Sequence, residues 1–156
     1  MEVEISATPF DPTTELQHLL QQCQGKTGAI CSFVGLVRDY GDRDGLLGLF
    51  LEHYPGMTEK ALIAIIDEAR TRWPLQAVRI VHRVGELGLN DPIVFVGVSS
   101  GHRVAAFEAC AFLMDYLKVK APFWKKERLT EGDHWVAQKS SDEDHAARWQ
   151  TSNKPD

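Results

Sequence analysis

Cysteine is scarce: Cys23, Cys31 and Cys110 are odd in number and lack CxxC spacing. Neither a disulfide framework nor a zinc knuckle is supported, and buried free thiols are expected. Positive charge is not in excess either. Seventeen Lys and Arg against 22 Asp and Glu leave a formal charge of −5, which excludes general nucleic-acid binding, because phosphate neutralisation needs a basic face. No run reaches the ~18 consecutive apolar residues of a membrane span. The start, Met1-Glu-Val-Glu-Ile5, carries acid where a secretory signal carries base, so a cytoplasmic protein with no membrane attachment is expected. No HExxH, HxH or Cys/His spacing offers a metal site. No GxSxG, P-loop or GxGxxG supports a hydrolase, kinase or dehydrogenase, and no cofactor is expected.

What remains is an ordinary globular composition, 44% hydrophobic and 25% charged over 156 residues. A chain of this length builds a core without staples. Without repeats or a linker-like stretch, residues 1–150 are expected to form one domain, with 151–156 as a frayed polar tail.

Asp11-Pro12 reads as a helix start, and Leu16, Leu19, Leu20 and Cys23 recur at helical spacing until Gly25. Ala29–Val37 and Leu46–Tyr54 are β-rich and joined by a Gly/Asp loop. Thr58 is placed to cap a helix whose stripe is Leu62, Ile65, Ile66, Ala69 and Trp73, and Pro74 ends it. Val78–Val84 and Ile93–Ser99 read as neighbouring strands, and Ser99-Ser-Gly101 as the cap of a third helix running to Ala121-Pro122. Phe123–Leu129 is expected to be extended. The expected fold class is α+β (α/β), with a mixed, largely antiparallel sheet and helices packed on one face.

Three places can carry chemistry. The strand-to-helix junction Val98-Ser-Ser-Gly-His-Arg103 offers a helix N-terminus with His102 and Arg103, either an anion receptor or a surface pair beside a carboxylate. Lys118, Lys120, Lys125, Lys126 and Arg128 face one acid, Glu127, either as a funnel for an anionic ligand with Phe123 and Trp124 as stacking platforms, or as a solvated charge run. Neighbouring cations and burial would lower a lysine pKa toward acid-base use, which singles out Lys118 and Lys125. Arg38 follows an apolar strand, held for a ligand or merely at a strand end. His53 and His82 read as structural histidines and Met114 as core.

Four segments together carry a likeness. Glu52-His-Tyr-Pro-Gly-Met-Thr-Glu-Lys-Ala-Leu62, His82-Arg-Val-Gly-Glu-Leu87, Phe95-Val-Gly-Val-Ser-Ser-Gly-His-Arg103 and Met114-Asp-Tyr-Leu-Lys-Val-Lys-Ala-Pro-Phe-Trp-Lys125 closely resemble the large, catalytic subunit of molybdopterin synthase, over roughly Ala29 to Trp149. The resemblance implies an α/β hammerhead fold and a homodimer, heterotetrameric once each chain binds a small ubiquitin-like sulfur-carrier subunit. That subunit's C-terminal Gly-Gly thiocarboxylate would supply two sulfurs to cyclic pyranopterin monophosphate, giving molybdopterin. It implies a pocket lined by Arg38, His102, Arg103, Lys118 and Lys125, with Lys126 and Glu127 continuing the binding segment. Lys118 would be the acid-base residue, Lys125 its electrostatic support, and Phe33 a possible neighbour.

A helix from His102 to Lys118 separates its ends by about 24 Å at 1.5 Å per residue, so a site using both ends is shared between two chains. The loop Asp39 to Gly48 is expected to order on ligand binding. Rival readings are a non-catalytic phospho-ligand or nucleotide-binding module using the Ser-Ser-Gly-His-Arg junction, and a scaffold that binds a ubiquitin-like tail without chemistry.

Overall fold

The computed structural model describes residues 1–40, 45–137 and 140–151. In chain order the elements are β1 (Val3–Ser6), α1 (Pro12–Gln21), β2 (Ala29–Leu36), β3 (Leu46–His53), α2 (Met57–Arg72), β4 (Leu75–Arg83), β5 (Gly85–Gly88), β6 (Pro92–Ser100), α3 (Arg103–Lys120), β7 (Phe123–Leu129), β8 (Gly132–Val136) and α4 (Ser140–Thr151). No helix among the described residues is long and apolar enough to cross a membrane.

The fold is α+β with largely antiparallel strands, as expected, but the strands divide between two sheets of four. The first runs β1-β4-β6-β2, with only β1 and β4 parallel; the second runs β5-β3-β7-β8, antiparallel throughout. The segments read as two loop-joined strands, β2 and β3, therefore belong to different sheets.

Strand alternation explains how the first sheet is covered. Val78, Ile80, Val94, Val96 and Val98 project to one face, where α2 brings Leu62, Ile65, Ile66 and Ala69 and α3 brings Ala109, Phe112 and Leu113. Val81 and Phe95 project to the other and meet Leu19 of α1. Helices thus cover both faces, correcting the expectation of one. Gly97 permits the close approach of α1: a Cβ there would lie 2.3 Å from Leu19 Cδ1 and 2.8 Å from the Phe95 ring. The second sheet closes a smaller core of Val37, Leu46, Leu49, Leu51, Leu87 and Leu129.

Two caps differ from expectation. Ser99 and Ser100 end β6 instead of capping α3: the Ser99 hydroxyl accepts from Ala77 N–H at 2.9 Å, the Ser100 hydroxyl donates to Pro74 C=O at 2.8 Å, and His102 is the N-cap. Thr58 lies inside the first turn of α2, which Gly56 caps. Fully buried, its hydroxyl donates to Pro122 C=O at 2.9 Å and accepts from Tyr54 N–H at 3.0 Å, tying α2 to the start of β7.

All three cysteines are free, but only Cys110 is buried, where burial raises its thiol pKa. The expected ordering of the 39–48 loop falls partly, and the 151–156 tail almost wholly, on residues outside those described.

Candidate functional site

Three elements end at one place. β7 alternates Phe123, Lys125 and Glu127 on the face toward the smaller core with Trp124, Lys126 and Arg128 on the other. The last turns of α3 place Met114, Leu117 and Lys118 side by side at i, i+3 and i+4. β4 continues its inward row Val78, Ile80 with His82.

Between them lie two adjoining cavities of about 330 and 400 Å³, which share Arg38, His82, Leu117, Lys118 and Lys125. One extends toward Val136 and Asp142, the other toward Phe33, Tyr40, Met114 and Glu127. The walls combine aliphatic side chains such as Leu49 and Ile93 with a cluster of cations. Low polarisability around fixed charges strengthens their attraction for an anion.

Arg38 stands just past β2 with its guanidinium carbon 4.6 Å from the Tyr40 ring centre, leaving its charge on the cavity. Glu127 is buried in the same wall, on the same face of β7 as Lys125. His82 is a second buried titratable group of this wall. Its ring stacks on Phe123 at 3.9 Å and 17°, and Nδ1 lies 2.8 Å from Arg83 C=O. Burial lowers its pKa to about 4, with Lys118 and His53 adding repulsion, while the bond to the Arg83 carbonyl opposes the shift. The imidazole is therefore neutral at neutral pH, so the Arg83 carbonyl fixes the Nδ1–H tautomer.

The structure brings together Arg38, Lys118, Lys125, Glu127 and Phe33. It does not bring His102 or Arg103 to them: both are exposed at the opposite end of α3, about 24 and 22 Å from Lys118 along the helix. Lys126, expected in the same cluster, is turned by the strand period to the outer face of β7. There its ammonium lies 5.0 Å from the Phe50 ring and 5.2 Å from that of Trp135.

His82 and Met114 line the cavities although sequence reading assigned them to structure and core. The available signal was parity: His82 follows Val78 and Ile80 at two-residue spacing, and Met114 stands four residues before Lys118 on a helix. Among the described residues no group of three or more His, Cys, Asp or Glu is placed to hold a metal. A further cleft of about 450 Å³ between α1 and β4 has its charges matched internally, Arg79 by Glu4 and Glu15 and Arg70 by Glu2.

The family model described as MoaE protein matches residues 5–120. A molybdopterin synthase catalytic subunit from Pseudomonas aeruginosa is 53% identical over 150 residues, covering 96% of this chain and 99% of that protein. Among solved structures, a molybdopterin biosynthesis MoaE protein from Burkholderia ambifaria superposes with a TM-score of 0.79 at 48% identity, covering 96% of this chain and 98% of that one. A complex of subunits 1 and 2 of molybdopterin-converting factor from Helicobacter pylori contains a chain of the same fold, with a TM-score of 0.72 at 22% identity, covering 88% and 92%.

Proposed function

Because the chain belongs to the MoaE family of molybdopterin synthase catalytic subunits, we propose that it is a sulfurtransferase of molybdenum cofactor biosynthesis. Its substrate is cyclic pyranopterin monophosphate, and its sulfur donor is the thiocarboxylated C-terminal Gly-Gly tail of a small ubiquitin-like subunit. The observation that carries this reading is the convergence of Arg38, Lys118 and Lys125, from three separate segments, on one partly apolar hollow in a chain of net charge −5. Substrate phosphate and thiocarboxylate are both anions, and such a hollow holds two anions side by side against their mutual repulsion.

In this reading the Lys118 ammonium faces the carbonyl of the tail. The thiocarboxylate sulfur first bonds to a side-chain carbon of the pterin, making an acyl thioester. Water then adds to the acyl carbon and the acyl C–S bond breaks, leaving the sulfur on the pterin and a carboxylate on the tail. Lys118 gives a proton to the departing sulfur and regains one from the attacking water. Lys125 supports the developing negative charge without itself moving a proton. Glu127, buried in the same wall, keeps the lysines oriented, and Phe33 bounds the far side of the cavity.

His102 and Arg103 serve the pocket of a second copy of the chain. Two features support this: their distance from Lys118, and the exposed apolar residues Val104 and Phe107, 60% and 64% accessible, on the turn next to Arg103. Apolar surface beside a cation suits a homodimer contact that delivers the cation across it. With one small subunit per chain the assembly is a heterotetramer.

The test is single-turnover conversion of cyclic pyranopterin monophosphate by the purified protein with thiocarboxylated small subunit, wild type against Lys118→Ala. Wild type should convert, and the variant should bind the small subunit and fall by at least about 10²-fold, the ordinary contribution of a positioned acid-base group. Binding of the pterin without conversion by wild type, given a competent donor, would leave a phospho-ligand module on a borrowed fold.

A further inference from the structure

We propose that His82 is a substrate-contact residue that accepts, at Nε2, a hydrogen bond from a ring N–H of the bound pterin. This rests on the sulfurtransferase reading for the identity of the ligand and adds to it the group that recognises the heterocycle.

The two cavities are rich in cationic donors, and their side-chain acceptors are the Asp142 carboxylate in one, the Glu127 carboxylate and Tyr40 hydroxyl in the other, and the His82 imidazole. Arg38, Lys118 and Lys125 are donors only, suited to phosphate and thiocarboxylate. A pterin ring also carries N–H and amino donors, and each one buried without an acceptor gives up its hydrogen bonds to water with nothing in exchange. Among the described residues, His82 is the acceptor side chain that lines both cavities, and it accepts without bringing a negative charge next to the substrate's anions.

Its geometry fits that task. The ring is fixed on one face by the Phe123 stack and at one edge by the Nδ1 bond to Arg83 C=O. That bond places the proton on Nδ1 and leaves the lone pair on Nε2 as the ring's acceptor. The charged or titratable groups around it are Lys118 from α3 and His53 from β3 and, lining the same cavities, Lys125 and Glu127 from β7, Arg38 and Tyr40 beyond β2, and Asp142 of α4. Burial, with repulsion from Lys118 and His53 added to it, opposes a second proton on the imidazole, so the acceptor persists at neutral pH.

The experiment compares two replacements that divide the ring's functions. His82→Asn keeps a donor at the Nδ1 position for Arg83 C=O and removes the Nε2 acceptor, whereas His82→Gln carries an amide oxygen out to the Nε2 position. Binding of cyclic pyranopterin monophosphate by the full chain is measured by titration calorimetry, beside thermal melting and single-turnover conversion. His82→Asn should weaken binding about tenfold, the equivalent of one hydrogen bond at about 1.4 kcal/mol, and His82→Gln should stay within about threefold of wild type.

Nitrogen NMR of wild type, labelled at histidine, supplies a readout independent of any substitution. The free protein should show His82 protonated on Nδ1 and bare on Nε2, and the Nε2 resonance should move when the pterin is added. An Nε2–H tautomer, an unmoved Nε2 resonance at saturating pterin, or wild-type affinity in a folded His82→Asn overturns the proposal while leaving sulfur transfer intact. A wild type that binds pterin through Nε2 but does not convert it overturns the sulfurtransferase reading and leaves the His82 contact standing. A wild type that neither binds nor converts the pterin overturns both.

Discussion

Acid should weaken this protein through His82, and the size of the effect follows from its burial. In the unfolded chain the imidazole titrates near 6.5, whereas in the folded chain burial and the neighbouring Lys118 and His53 hold it to about 4. Between those values the unfolded chain binds a proton that the folded chain refuses. The His82 contribution is therefore fully present above about pH 6.5, is lost as the pH falls toward 4, and changes no further below that. From pH 7.5 to pH 5 the loss is about 2 kcal/mol, or roughly 4–8 °C in melting temperature for a domain of this size.

Glutamine does not titrate, so the assay is the difference between two pH profiles. Urea unfolding of wild type and His82→Gln is followed from pH 7.5 to pH 5 at one protein concentration. The other titrating groups are common to both proteins and cancel. The wild-type curve should fall about 2 kcal/mol further than that of the variant. Parallel curves would refute the argument, because they would mean that the folded state admits the proton, and hence that the ring is neither dry nor faced by cations.

Three further expectations concern separate parts of the molecule. Mixed dimers pairing an Arg103→Ala chain with a Lys118→Ala chain should recover one working pocket in two, read as product per dimer in single turnover; no recovery would place both residues in a pocket of one chain. Thr58→Val keeps the side-chain volume but leaves Pro122 C=O and Tyr54 N–H without their buried partner, so urea denaturation should show a loss of about 1–3 kcal/mol. Gly28→Ala would bring a Cβ to 2.2 Å from the Gly101 carbonyl oxygen, displacing the turn that leads into His102 and Arg103. A loss of about 1–3 kcal/mol and weaker phosphate-bearing ligand binding should accompany it, measured by unfolding and calorimetry.

The elements legible in the sequence were those with a strong period and clean boundaries. α2 and α3 carry helical stripes closed by Pro74 and Pro122, and β4 and β6 are apolar runs flanking a Gly-rich turn. Their partnership across the sheet was legible too. The short strands β1 and β5, four residues each, fell below any detectable alternation. α4 was hidden by composition: it carries Ser, Asp and Glu at many positions, and among its residues with described side chains Ala146 and Trp149 are the buried ones. The split into two sheets was not legible, because alternation tells a residue which face it is on and not which sheet it joins. At the cavities, charge contrast singled out Lys118 and Lys125 among the cations from Lys118 to Arg128, and Arg38 stood out by its place at the end of an apolar strand. His82 escaped because its character comes from what surrounds it, namely Phe123, Lys118 and a carbonyl one residue away.

The two faces of β7 bear on how this gene can change over generations. Lys125 and Lys126 are chemically alike and adjacent, yet one belongs to the cavity and the other to an aromatic clamp on the far side. Codons between Phe123 and Leu129 can therefore exchange letters one at a time, each change felt on a single face. Loss or gain of one whole codon exchanges every occupant of the two faces, sending Lys126 inward, Lys125 outward and Glu127 away from the lysines. Lineages of this protein should therefore accumulate substitutions along the strand while insertions and deletions are confined to the turns at its ends, before Phe123 and after Leu129.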